Sequence, residues 1–164
     1  MYRARDEAKQ YEDMYGIKVP GKILADRIAG QAHMRTMQAY FRPYASSIIF
    51  ATHDIMSPFA LWMVEPSGAC YQYYGCAAGR GKQLVRNEIE RKNFRELTCE
   101  EALPLFCKIL IKSQEEMKEK KQELELSVLS EATKFCHKIL TRAETEKMTN
   151  AALASIAAED EEMT

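Results

Sequence analysis

The strongest constraint on this chain is a change of period near its middle. Phe59 to Val64 is apolar on both parities, as for a strand buried on both faces. Glu65-Pro66-Ser67-Gly68 follows, a turn in which Pro presets φ at the second position and Gly relieves the fourth. Ala69 to Tyr74 returns as a Tyr-rich strand, and Ser46 to Thr52 is a short β-rich run ahead of the pair. A hairpin or meander is therefore predicted, set between helical stretches.

On the N-terminal side, Met1 to Tyr15 has the charge and scattered apolar residues of a helix end, with Gly16 as its C-cap. Pro20 blocks continuation and suits the first turn of a second helix, predicted to run to about Tyr40. Leu24, Ile28 and Ala32, with Ala25, Ala29 and Ala39 beside them, make a narrow face of small residues that lets a partner element approach closely. Pro43 closes that helix.

On the C-terminal side, Lys82 to Phe94 is helical, with Leu84, Val85 and Ile89 at helical offsets. Thr98-Cys99-Glu100-Glu101 is a capping box that opens a helix carrying Leu103, Phe106, Ile109 and Leu110. Pro104 inside it should remove a hydrogen bond and kink it, costing about 3 kcal/mol if nothing compensates. Ser113 to Lys121 reads as its solvated end. Leu124, Leu126 and Val128 alternate with Glu123, Glu125 and Ser127, a strand with one wet face. A short strand over Lys134 to Leu140 follows across a tight link. Thr141-Arg142-Ala143-Glu144 caps a final helix, and the chain runs out through Glu159-Asp160-Glu161-Glu162. The predicted order is α-α-β-β-β-α-α-β-β-α, an α+β chain with no internal repeat and no interdomain linker.

Composition excludes several function classes. The 164 residues are 46% hydrophobic and 29% charged, with 7 Gly and 5 Pro, the proportions of a packed domain. A domain of this size should bury roughly 70% of its unfolded surface. A net charge of −1 leaves no electrostatic footprint for nucleic acid, so no nucleic-acid partner is expected. The opening is charged and lacks an apolar core, so no signal peptide is expected, and no run is long enough to span a membrane. Five cysteines at irregular gaps suit thiols in a reducing compartment, hence cytoplasm and nucleus. Charge is unevenly divided: residues 1–97 carry 14 basic and 10 acidic side chains, residues 98–164 carry 9 and 14.

Candidate chemistry meets an ordinary structural explanation at each position. Gly75 to Lys82 invites a phosphate-loop reading. It has five residues between Gly75 and the Gly-Lys pair instead of four, and Gln83 lacks the hydroxyl that would hold magnesium. A dinucleotide fingerprint fails because its last glycine falls on Leu84. A tight strand-to-helix corner is the expectation. Cys70 and Cys76 are too loosely spaced for a zinc knuckle, and Cys99 and Cys107 lie about 12 Å apart along one helix. Cys136 and His137 are adjacent on a predicted strand and point to opposite faces. All five thiols are expected to be buried. His33 and His53 have no identifiable carboxylate partner and read as structural. Glu123 and Glu125 share a strand face and read as a hydrated edge, with nothing beside them for glycoside chemistry. The acidic tail, 159–164, reads as a frayed solvated terminus, with recruitment of a basic partner as the other possibility. No catalytic, cofactor-binding or metal-binding residue is assigned, and no cofactor is expected.

Several segments, taken in order, resemble the eukaryotic proteasome α subunits. They are Leu24-Ala-Asp-Arg-Ile-Ala29, Arg42-Pro43-Tyr44, Glu65-Pro-Ser-Gly68, Tyr74-Gly-Cys-Ala-Ala-Gly79, Asn87-Glu-Ile-Glu90, Leu97-Thr-Cys99 and Glu123-Leu-Glu-Leu-Ser127. They keep family order and spacing across nearly the whole chain. The resemblance implies a four-layer αββα sandwich of the N-terminal-nucleophile hydrolase type, truncated at its N-terminus. It assigns residues 1–158 to the C-terminal two-thirds of the family domain.

It also implies an assembly role in the outer ring of the core particle, with neighbouring α and β subunits and regulatory particles as partners, in ubiquitin-dependent degradation. Such subunits do not cleave peptides. Catalytic relatives start at a processed Thr, where this chain has Met1-Tyr2. They place a serine in the loop that here reads Cys76-Ala77-Ala78, and an Asp-x-x-Ser pattern where Glu131-Ala-Thr-Lys134 stands. Other departures from the family are Ala45 in place of a usual glycine, Pro104 within a helix that relatives keep intact, and an N-terminal third that is not represented. That third bears the gate, the α signature, the first strands of both sheets and the activator-binding lysine. Three readings follow: a ring subunit; an independent hydrolase, which the missing Thr contradicts; and a decayed or free-standing interaction module with no role in a proteolytic particle.

Overall fold

A computed structural model describes residues 2–54, 58–116 and 123–162. Its element order is the one predicted, with a 3-10 turn over Phe94–Glu96 added. The chain divides into two compact units, 1–79 and 80–164, each with its own core.

In the first unit, α1 (Tyr2–Tyr15) ends at Gly16, whose φ of +69° lets its N–H reach Glu12 O at 2.8 Å. α2 (Gly21–Met37) starts just after Pro20 and stops three residues short of the predicted Tyr40. Gln38 turns to extended backbone, and the Phe41 N–H bonds to Gln38 O, so the exit turn precedes Pro43 and does not need it. Ala39 lies beyond the helix and is exposed, whereas Ala25, Ile28, Ala29 and Ala32 form the buried small-residue face as predicted.

Three antiparallel strands in the order β1 (Ile48–Thr52), β2 (Ala60–Val64) and β3 (Cys70–Tyr73) make the first sheet. Ile48 faces Val64, and Val64 faces Cys70, which sets the register. Ile28, Ala29 and Ala32 pack with Val64, while Ala25 packs with Ala60 and Trp62. Small residues on α2 let the helix settle onto the pleat. The expectation that β2 is buried on both faces is corrected: Ala60, Trp62 and Val64 are buried, but Leu61 and Met63 only partly so. One face is covered by α2. On the opposite face the register aligns Ile49 with Met63 and Tyr71, and Ala51 with Leu61 and Tyr73.

In the second unit, α3 is Lys82–Arg91, α4 is Cys99–Glu116 and α5 is Arg142–Glu162. α3 ends before the predicted Phe94, which instead joins the 3-10 turn and packs its ring on Phe106 at 4.8 Å between centroids. α4 passes through Pro104 as one helix. The carbonyl that loses its donor is that of Glu100, an exposed residue of the first turn, where the helix has solvent beside it. Cys107, Ile111, Leu126, Ala152 and Ile156 form this unit's core. Lys108 is buried between α4 and α5, its ammonium donating to Ser155 Oγ at 3.3 Å.

Leu124, Leu126 and Val128 turn inward and Glu123, Glu125 and Ser127 outward, as the alternation predicts. The ladder itself is short: β4 is Ser127–Val128 and β5 is Lys138–Ile139, extended by the Leu140 N–H to Leu126 O at 2.9 Å. The predicted strand start at Lys134 and the tight link before it are both corrected. Thr133 Oγ1 accepts from the Ser130 N–H and donates to Ser130 O, winding residues 130–135 into a turn. Lys134 and Phe135 leave it in the left-handed region, at φ 53° and 57°. Helix α5 runs unbroken through the 158/159 boundary. Residues 117–121 of the polar run and 163–164 of the tail lie outside the described residues.

Candidate functional site

Two features organise the first unit as a surface on a rigid frame. The N-terminus of α2 has no side-chain cap of its own. Instead the Gly21 N–H donates to Asp54 Oδ2 at 2.7 Å, placing a carboxylate at the positive end of the helix dipole. Thr52, two residues earlier, accepts from Trp62 Nε1 at 3.1 Å, so helix start, β1 and β2 are tied at one corner. At the other side, the turn Glu65–Gly68 docks on α2. Gly68 adopts φ +89°, and a Cβ there would stand 2.6 Å from His33 Cβ and 2.9 Å from Ala29 O. His33 Nδ1 lies 3.2 Å from Ser67 O and accounts for that histidine structurally.

Among the described residues, no three His, Cys, Asp or Glu side chains converge to hold an ion. No described helix is long and apolar enough to cross a membrane. Gly79 and Gly81 sit at φ +99° and +71°, and Gly81 is the N-cap of α3, so the 75–82 segment is a strand-to-helix corner. His53 stacks edge-on against Phe59 at 5.3 Å. Glu123 pairs with Arg142, and Glu125 is exposed, which makes this face a hydrated edge.

The five thiols are not alike. Cys107 is buried and Cys70 and Cys76 half-buried, and burial pushes each of these three above the ordinary thiol value, with Asp26 adding to the shift at Cys70. Cys99 and Cys136 are exposed, which corrects the expectation that all five are buried. Cys136 and His137 are loop residues ahead of β5, both exposed, so the strand argument about them no longer applies.

Both capping boxes form reciprocally. The Thr98 N–H donates to Glu101 Oε2 at 2.9 Å, and the Glu101 N–H returns to Thr98 Oγ1 at 3.4 Å. Thr141 and Glu144 repeat this at 2.8 and 3.4 Å. In each, the backbone N–H on the carboxylate lowers the glutamate pKa below its ordinary value.

Sequence reasoning missed the Asp54 contact, which spans 33 residues. Its one signal is negative: Pro20-Gly21 opens a helix without a Ser, Thr, Asp or Asn at the cap. Also missed is the pair of rings around Arg35, with Phe41 at 5.1 Å and Tyr44 at 4.7 Å from its guanidinium carbon.

The arrangement is therefore two helices on a three-stranded sheet with a second apolar face, and a separate helical unit with a short hairpin. Residues 1–129 match the proteasome subunit family. The chain is 41% identical over 140 residues to the Dictyostelium discoideum protein named proteasome subunit alpha type-3, covering 85% of this chain and 56% of that one. It is 42% identical over 135 residues to the Arabidopsis thaliana alpha type-3 subunit, covering 82% and 54%. Against the Drosophila melanogaster alpha type-3 subunit it is 32% identical over 157 residues, covering 96% and 62%. It thus spans little more than half the length of these relatives. The collinear motifs, the mixed helix and strand order and the extent of these matches agree: the chain belongs to the proteasome subunit family, and its similarity there is to the alpha type-3 branch.

Proposed function

We propose that this chain serves as a non-catalytic structural α subunit of the proteasome core particle, in its outer ring, and so supports ubiquitin-dependent protein degradation. The observation that carries this is the 41% identity to an alpha type-3 subunit over 85% of the chain. The sheet supports the finer reading of a four-layer αββα sandwich. Helix α2 covers one face, and the other carries Ile49, Leu61, Met63, Tyr71 and Tyr73, an apolar surface of the kind a second sheet packs against. Neighbouring α and β subunits are the partners, together with regulatory particles, in cytoplasm and nucleus, without nucleic acid or membrane. Cys76-Ala77-Ala78 and Glu131-Ala-Thr-Lys134, standing where catalytic relatives have serine-bearing segments, support a role without peptide cleavage.

The test is native purification of a tagged chain, with the co-purifying proteins quantified. Recovery of other α and β subunits in fixed proportion, together with a peptidase activity that survives substitution of Ser130 and Thr133 in the tagged chain, is expected. Recovery of the tagged chain alone would overturn the proposal and leave the free-standing module.

A further inference from the structure

Helix α2 is fixed by apolar packing on the sheet, but α1 is attached differently. From Arg3 to Tyr15 no side chain is fully buried: Ala4, Glu7, Ala8 and Tyr11 are half-buried and the rest are exposed. Those four positions share one helix face, so the inner stripe of α1 is two alanines, a glutamate and a tyrosine. Ala4 is the α1 residue that packs against the Ile28, Ala29, Ala32 and Val64 core. Among the described elements, α2 is the one substantial neighbour of α1.

A polar cluster joins the two helices. Glu7 accepts from Arg27 Nη1 at 3.3 Å and from Gln31 Nε2 at 2.6 Å. The Arg27 guanidinium also stands over the Tyr11 ring, 5.2 Å from its centre. Glu7 and Tyr11 are one turn apart on α1, Arg27 and Gln31 one turn apart on α2, so the four side chains bridge the seam as a unit. The Glu7 and Arg27 side chains keep 21% and 36% of their exposure, which leaves the pair open to water and salt. Alanine methyl groups bring little apolar burial, so this cluster carries the attachment. The link back to α2 suits a hinge: Gly16 turns the chain at φ +69° with open space around it, and residues 16–18 are exposed.

We propose that α1 is a charge-latched strap. Loss of the Glu7 contacts to Arg27 and Gln31 frees α1 about the 16–20 link while α2 and the sheet stay folded, and uncovers the side of α2 that bears those two residues. A helix of 14 residues is marginal by itself in water, so the freed strap unwinds in a local opening and not a global one. The latch lies within the first unit and is independent of the ring-subunit role.

Amide hydrogen exchange of the full chain, resolved by peptide in a mass spectrometer, tests this, with Trp62 fluorescence reporting on the sheet. Peptides from α1 should exchange faster than those from α2 and β1–β3. Glu7→Ala should speed exchange in α1 by about tenfold, as loss of hydrogen bonds to a charged group would give. It should leave the Trp62 emission and the α2 rate unchanged, because Trp62 packs with Ala25 and Ala60 away from the latch. Sodium chloride at about 1 M should speed α1 in the wild-type chain but not in Glu7→Ala. Glu7→Arg combined with Arg27→Glu should restore the protection that either reversal loses by itself. Exchange of α1 in step with the sheet would overturn the proposal, as would a Glu7→Ala chain whose whole first unit unfolds. So would an α1 rate indifferent to Glu7 and to salt, or a double reversal no better than the single ones.

Discussion

Replacing Gly68 by alanine probes the one place in the first unit where turn, helix and sheet meet without room to spare. Two costs add. At φ +89° a residue with a Cβ loses about 1–2 kcal/mol against glycine. The new methyl would also stand 2.6 Å from His33 Cβ, 2.9 Å from Ala29 O and 3.0 Å from His33 Cα. The last two are helix backbone, so relief means lifting the turn off α2, an overpacking cost of about 1–3 kcal/mol. The sum is about 2–5 kcal/mol, a large part of a marginal stability.

Trp62, the single tryptophan, sits in the core of this unit, so its fluorescence during urea unfolding reads the unit directly. With a slope of about 2 kcal/mol per molar urea, the midpoint should fall by about 1–2.5 M. Gly16→Ala is the control: φ is +69° but nothing lies within 4 Å, so only the backbone cost of about 1–2 kcal/mol applies. Gly30→Ala goes the other way, since that helical glycine has open space around it, and should raise the midpoint by the equivalent of about 0.5–1 kcal/mol. If Gly68→Ala costs no more than Gly16→Ala, the turn is not docked on α2 and the packing argument fails.

Other perturbations have equally definite outcomes. Asp54→Ala should destabilise the first unit by about 1–2 kcal/mol in a thermal melt, and Asp54→Asn by less, because the amide still accepts from Gly21 while the charge at the helix dipole is lost. The lowered pKa of Glu101 and Glu144 means that their capping contribution is complete above the unfolded glutamate pKa and is lost as pH falls through the folded one. The acid limb of a pH–stability profile should therefore flatten when both become Gln, and an unchanged limb would contradict the capping geometry. Lys134→Gly should stabilise the second unit by about 1 kcal/mol, because it relieves one of two consecutive left-handed residues at an exposed position, and chemical denaturation followed by circular dichroism reads this.

Much of this fold was legible because it is local. The small-residue face of α2, the Glu65–Gly68 turn and both Thr–Glu capping boxes each occupy a few neighbouring positions, and each formed as read. The failures are non-local or concern competition between local bonds. β5 begins four residues late because Ser130 and Thr133 satisfy each other's backbone groups before a ladder can start. α2 ends early because Arg35 gathers Phe41 and Tyr44 around itself, a contact set by loop geometry and not by helix periodicity. Pro104 is tolerated because it frees a carbonyl in an exposed first turn, and the count from Thr98 could have indicated that. Asp54 at the start of α2 depends on how the strands return, which no window of sequence contains. As for function, no single motif carried chemistry; collinear short segments pointed to the family, and their order was the informative quantity.

The proposed role is that of a ring subunit of the proteasome core. Native size fractionation of the source extract, following this protein from fraction to fraction, tests it most directly. The account predicts co-elution with a complex of several hundred kilodaltons that also contains proteasome β subunits. Elution as a small species, separate from those subunits, would contradict it.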